Sequence, residues 1–138
     1  MVNIESLKRQ HEEIGEIINN IRNLVAEGRL EAKANELAIM INTLAGKLKI
    51  HLSTEDKFMY PELLNSQSEE VRNTARAYID EMGTISETFM AYKERFNTRS
   101  KISASPDSFA SESDRVFSVI EKRIDREESH YIKFYRDK

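Results

Sequence analysis

Five side chains carry chemistry that their sequence surroundings do not explain: His11, His51, Glu55, Arg123 and Glu127. Each falls on a stripe of apolar residues that recurs every three or four positions, where an unpartnered charge is costly. His51 and Glu55 are four apart, as are Arg123 and Glu127, so each pair stacks on one helix face. An imidazole nitrogen and a carboxylate oxygen on adjacent turns suit a borderline divalent ion such as iron, manganese or zinc. Two carboxylates from different helices can bridge two ions or complete the shell of one. Each residue also has a plainer reading. A lone histidine on a helix stripe is more often a packed or hydrogen-bonded core residue than a ligand. Arg123 with Glu55 or Glu127 makes an ordinary buried ion pair.

Four helices must position these groups. In the first, Ile4, Leu7, His11, Ile14, Ile18, Ile21 and Leu24 trace one face, with Asn3 as N-cap and Gly28 as the stop. The second is expected from about Glu31 to Leu64, with a stripe of Leu37, Met40, Leu44, Leu48, His51, Glu55 and Phe58. Pro61 should kink or end it, because proline lacks an amide donor and clashes with the preceding turn. Ser66 and Glu69 read as a capping box that opens the third helix. Its stripe is Val71, Ala75, Tyr78, Met82, Ile85, Phe89, Tyr92 and Phe96. The serine-rich segment 97–110, with Pro106, reads as the one long connection. A fourth helix is expected from about Ser111, with Val116, Ile120, Arg123, Glu127, Tyr131 and Phe134 on its stripe.

Short connections between successive helices imply antiparallel neighbours and an all-α, up-down-up-down four-helix bundle, read as a single domain over residues 1–138. In that arrangement the depths agree. His11 lies roughly 12 Å into its helix, and Glu127 roughly 15 Å from the end of the last, at ~1.5 Å per residue. His51 and Glu55 lie about 9 to 15 Å before Pro61 on the same rise. One cross-section of the bundle would hold all five groups, and this convergence favours a site over five separate accidents.

Composition excludes several alternatives. Four glycines and two prolines in 138 residues favour long helices over short strands. The absence of cysteine removes disulfides, thiolate metal sites and a cysteine nucleophile together. The net charge of −3 comes from well-mixed acidic and basic residues, so no basic stripe suggests nucleic acid. No apolar run approaches the length of a membrane span, and the first ten residues lack the apolar core of a secretion signal. A cytoplasmic protein is the expectation. Phe109 and Tyr135 read as exposed and hint weakly at contacts.

The segment from His51 through Glu55, Asp56, Phe58, Tyr60 and Pro61 to Leu63 resembles the second-helix signature of hemerythrin-like, or HHE cation-binding, domains. His11 and Ile14 resemble the family's opening His-x-x-Ile. Arg123, Ile124, Glu127 and Glu128 resemble its His-Ile-x-x-Glu-Glu, with Arg in place of His. Glu81, Met82 and Ile85 resemble Glu-His-x-x-Ile, with Met in place of His. The resemblance implies a non-haem iron site in a protein that binds dioxygen or nitric oxide, senses redox state or handles iron. It matches His11 and His51 to terminal ligands of one iron and Glu55 and Glu127 to bridging carboxylates. Arg123 and Met82 stand where the second iron's histidines belong, and Ser86 supplies none one turn on. Arginine does not deprotonate to become a ligand, and its fork pairs with carboxylates. Arg123 is therefore expected to fill the place of the missing ion and neutralise Glu55 and Glu127. The remaining His11, His51, Glu55 and Glu127 are expected to hold at most one ion. His130, three residues after Glu127, is a substitute ligand or, more simply, a boundary residue. No enzymatic activity is expected, since the Glu-x-x-His pairs of di-iron carboxylate enzymes are absent. The alternative is a metal-free scaffold for protein–protein interaction or regulation.

Overall fold

The computed structural model describes residues 4–136, with side chains through His130; Asn3 as a cap and the side chains of Tyr131, Phe134 and Tyr135 lie outside the described residues. Helix α1 spans Ile4–Ala26, α2 Ala34–Thr54, α3 Tyr60–Leu64, α4 Glu69–Phe96, α5 Arg99–Ala104 and α6 Pro106–Arg136. A π-helical turn, Glu55–Met59, joins α2 to α3 without a break. Helix α1 packs on α2 and α6, and α4 packs on the same two, which closes a four-helix bundle. The pairings fix the directions. His11 meets Glu128 while Arg22 meets Asp114, and His51 meets Gln10 while Lys47 meets Glu13. Each of these neighbours is antiparallel.

Local sequence explains the boundaries. Gly28 has φ of 70°, and its amide bonds the Val25 carbonyl while the Arg29 amide reaches back to Leu24. This pair of bonds satisfies the last carbonyls of α1 as a Schellman stop does, and glycine enters the left-handed region without steric cost. Helix α2 begins at Ala34, after a turn over 30–33, rather than at Glu31. The cap of α4 is Ser68, whose hydroxyl accepts from the Val71 amide. Ser66 sits just outside and accepts from the Ser68 amide instead, so the expected Ser66–Glu69 capping box does not form.

The connection 97–110 is not irregular. Thr98 caps a short helix, α5, whose Ile102 is fully buried, and α6 starts at Pro106 rather than Ser111. Proline at the first helical position forfeits a hydrogen bond that the position does not have. Phe109 is therefore on α6 and buried against Tyr92 and Phe96, not exposed.

The interior is divided in two. One apolar cluster includes Ile14, Ile18, Leu44, Leu48, Phe89, Phe117 and Ile120. The other holds Leu7, Met59, Tyr60, Leu63, Val71, Ala75 and Tyr78. Between them, at the level where His11 follows Leu7 and precedes Ile14, lies a polar layer.

A candidate metal centre in the polar layer

His11, His51, Glu55, Arg123 and Glu127 are all buried, none more than 4% exposed. Three helices deliver them to one layer: α1 supplies His11, α2 and the turn after it supply His51 and Glu55, and α6 supplies Arg123 and Glu127. Helix α4 closes the fourth side with Tyr78, Glu81 and partly buried Met82.

The π turn sets the aim of the second helix. Glu55 is its first residue, and the Tyr60 amide reaches back five residues to the Glu55 carbonyl. The widened turn adds roughly one residue, about 100° of phase, relative to the α-helix. As a result Met59 and Tyr60 face inward, and Phe58, expected on the buried stripe, is 58% exposed. Pro61 then falls at the start of α3, where its missing amide is tolerated, and the chain continues to Leu64. The same stripe is also corrected at its start, where Ile41 rather than Met40 is fully buried.

Three donor atoms converge. His11 Nε2 lies 3.0 Å from His51 Nε2 and 3.0 Å from Glu127 Oε1, and His51 Nε2 lies 3.3 Å from the same oxygen. Glu55 Oε1 stands 3.4 Å from His51 Nε2. On the outer edge of each ring, His11 Nδ1 is 3.0 Å from Glu128 Oε2, and His51 Nδ1 is 2.7 Å from the amide oxygen of Gln10. Both Nδ1 atoms thus face acceptors, which places the ring protons there and turns the Nε2 lone pairs toward each other and toward a carboxylate. Like dipoles gather this closely around a shared proton or a cation. Two cis ligands at about 2.1 Å from an octahedral ion are about 3.0 Å apart, so the observed spacings suit three donors on one face of such a shell. Burial lowers the pKa of His51 despite the opposing pull of Glu127, which favours the neutral, ligating form. Burial works against ionisation of Glu127, but in the absence of a metal a proton shared by the Nε2 atoms of His11 and His51 bonds to it, and this, together with the charge of Arg123, outweighs burial and holds the carboxyl well below its usual range. The donor set present therefore fits one divalent ion. Among the described residues, His11, His51 and Glu127 form the cluster able to hold a metal.

The other half of the layer is occupied by Arg123. Its Nε donates to Glu127 Oε2 at 2.7 Å, its Nη2 to the Tyr60 hydroxyl at 2.6 Å and to the Tyr78 carbonyl at 3.1 Å, and its Nη1 lies 3.4 Å from Glu81 Oε1. The guanidinium carbon lies 4.3 Å from the centre of the Tyr78 ring. Burial opposes its charge, but Glu127, Tyr60 and Glu55 more than compensate, and its pKa rises. Of the two carboxylates expected beside Arg123, Glu127 takes a direct bond and Glu55 acts through its field. Tyr60, Tyr78 and Glu81 were not anticipated as partners. All three sit in helical stripes or motifs where an aromatic reads as core and a lone Glu as surface. Gln10 and Glu128 lie beside His11 and Glu127 in sequence, and adjacency alone does not mark a residue that steadies a ring. His130 is on the boundary, its Nδ1 2.6 Å from the Tyr78 hydroxyl, whose pKa burial pushes up to about 12. That bond turns His130 toward α4 as a hydrogen-bond partner.

The family model for the hemerythrin HHE cation-binding domain matches residues 2–135. The chain belongs to the hemerythrin HHE cation-binding family. No curated protein and no solved structure matches it. Within this family the layer of this HHE domain has an unequal division. One half presents two imidazoles and a carboxylate edge, and the other half is filled by a guanidinium.

Proposed function

We propose that this HHE domain is a cytoplasmic binding protein that holds a single ion, iron first, with zinc or manganese as alternatives. His11, His51 and Glu127 are its ligands, and Glu55 stands beside them as a further carboxylate donor. In this reading the protein serves an oxygen-, nitric oxide- or redox-linked sensing role, or handles iron, and does not turn over a substrate. The observation that carries the proposal is the convergence of two imidazole Nε2 atoms and one carboxylate oxygen within 3.0–3.3 Å in a buried layer. Two histidines and one carboxylate are a ligand set suited to ferrous iron, which when bound supplies open positions for a diatomic ligand. The chain's own residues do the rest. Gln10 and Glu128 orient the rings. The apolar clusters above and below exclude water. Arg123 holds Glu127 by one oxygen, leaving the other to face the histidines.

The test is an anaerobic titration of the metal-free protein with ferrous iron, read by metal analysis after desalting. One equivalent retained by the native protein and lost in His51→Ala is the expected result. Two equivalents would refute the assignment of Arg123 to the second position. A second reading has its own support: the Arg123 network gives Glu127 a permanent positive partner without any metal. In that case the domain is a scaffold for protein–protein interaction or regulation. A native protein that retains no iron, zinc or manganese, and whose melting temperature a chelator does not change, would establish it.

A further inference from the structure

Away from the polar layer, a cleft of about 500 Å³ opens between α2 and α4. Its floor is made by Leu48, Ile85 and Phe89, all buried, with Leu52 beside them. Ala45, Gly46 and Ser86 leave the space that larger side chains would close, and a Cβ placed at Gly46 would meet nothing within 4 Å. Two lysines, Lys49 on α2 and Lys93 on α4, stand at the rim. Among the described residues neither forms an ion pair, whereas Lys33 and Lys47 do. Because α2 and α4 are antiparallel, with Asn42 bonding the Asn97 carbonyl, Lys93 lies toward the Asn42 end and Leu52 and Ile85 toward the polar layer.

We propose that this cleft binds a free, single-chain amphiphile with an apolar tail and a carboxylate head, such as a medium-chain fatty acid. The volume is in the range of small-molecule sites, and the lining has their usual character of an apolar body with a few polar groups at fixed points. The apolar floor takes the tail. The lysines choose the sign of the head: ammonium groups without internal partners are free to pair with an anion and repel a cation. Asn42 already donates to two carbonyls, which leaves the lysines as the charged groups at the mouth. This site shares no residue with the proposed metal ligands, and its test does not depend on them.

The experiment is isothermal titration of the 138-residue chain with dodecanoate below its micelle concentration, with dodecanol and dodecyltrimethylammonium as neutral and cationic controls. Dodecanoate should bind about tenfold more tightly than the ammonium compound, the effect of two solvent-exposed charge pairs. Lys49→Glu combined with Lys93→Glu should remove that preference while leaving dodecanol binding in place. Ser86→Leu should abolish binding of all three by filling the cleft. Should that variant fail to fold, the charge reversals on the rim still decide the matter. Equal affinity for the three compounds, or a preference for carboxylate that survives both reversals, would overturn the proposal. So would binding to anionic phospholipid vesicles without binding of monomeric dodecanoate, since the occupant would then be a membrane surface.

Discussion

Replacing Arg123 with leucine isolates the half of the layer that needs no metal. The guanidinium is 4% exposed and donates to a carboxylate, a tyrosine hydroxyl and a backbone carbonyl. Removing one partner of a buried ion pair costs about 3–5 kcal/mol, because the other charge stays behind without compensation. Here the residue left is Glu127, 1% exposed, with Tyr60 and the Tyr78 carbonyl also losing their donor. The two imidazoles facing Glu127 offset part of the loss by taking up a proton between them, so the lower end, about 3 kcal/mol, is expected. For a chain of this length that is a drop of roughly 10 °C in melting temperature. Urea denaturation at pH 7 in the presence of a chelator measures it. The double variant Arg123→Leu, Glu127→Leu provides the cycle. It removes both charges and should be more stable than Arg123→Leu alone. A loss below about 1 kcal/mol for Arg123→Leu, or a double variant less stable than the single one, would refute the idea that this pair is a coupled buried network.

Other outcomes follow from the same geometry. Gln10→Leu takes the acceptor from His51 Nδ1 and should weaken metal affinity about 10- to 100-fold in a chelator competition; an unchanged affinity would mean that packing alone orients the ring. Arg123→His together with Met82→His should raise retained iron from one equivalent to two, and a stoichiometry that stays at one would show that these positions do not face a second ion. Glu81 is held below the usual carboxylate range by its hydrogen bonds to Arg126, against a weaker opposing effect of burial. A depressed folded value means that its contribution is present above the unfolded value of 4.5 and disappears as pH falls through the lower folded one. Since its side chain is 39% exposed, Glu81→Gln should cost less than about 1 kcal/mol at pH 7 and progressively less as the pH falls below 4.5, as read by thermal melts across the acidic range.

Much of the molecule was legible because burial follows period. Val71, Ala75, Tyr78, Ile85, Phe89, Tyr92 and Phe96 are buried as their spacing demands. The five ionisable intruders on such stripes met in one layer because antiparallel packing turns distances along the chain into depth. The expectations that failed did so where the period changes or where a cap decides. Phe58 was counted on an α-helical spacing through a turn that is wider. Segment 97–110 looked like a loop because serine and proline are common in loops, but Thr98 and Pro106 are also good helix starters. Phe109 is buried only because that second role prevails. The partners of Arg123 were hidden for a different reason: a tyrosine hydroxyl or backbone carbonyl becomes an acceptor only when three-dimensional packing brings it there.

The wide turn at Glu55–Met59 has one more consequence, for how this chain tolerates insertions and deletions. Two straight segments, α2 and α3, meet there with their inward faces offset by one residue, so the turn works as a phase adjuster between the two apolar clusters. Deleting a single residue such as Lys57 would let the helix run through at constant pitch. Because the wide turn holds one residue more than an α-helical path, that deletion would keep Met59, Tyr60 and Leu63 on the inward face. Inserting one residue there would instead rotate everything beyond by about 100° and carry Tyr60 away from Arg123 while His51 stayed in place. A one-residue deletion at this point would thus leave the layer whole, while a one-residue insertion would separate its histidine half from its arginine half although no ligand had been altered.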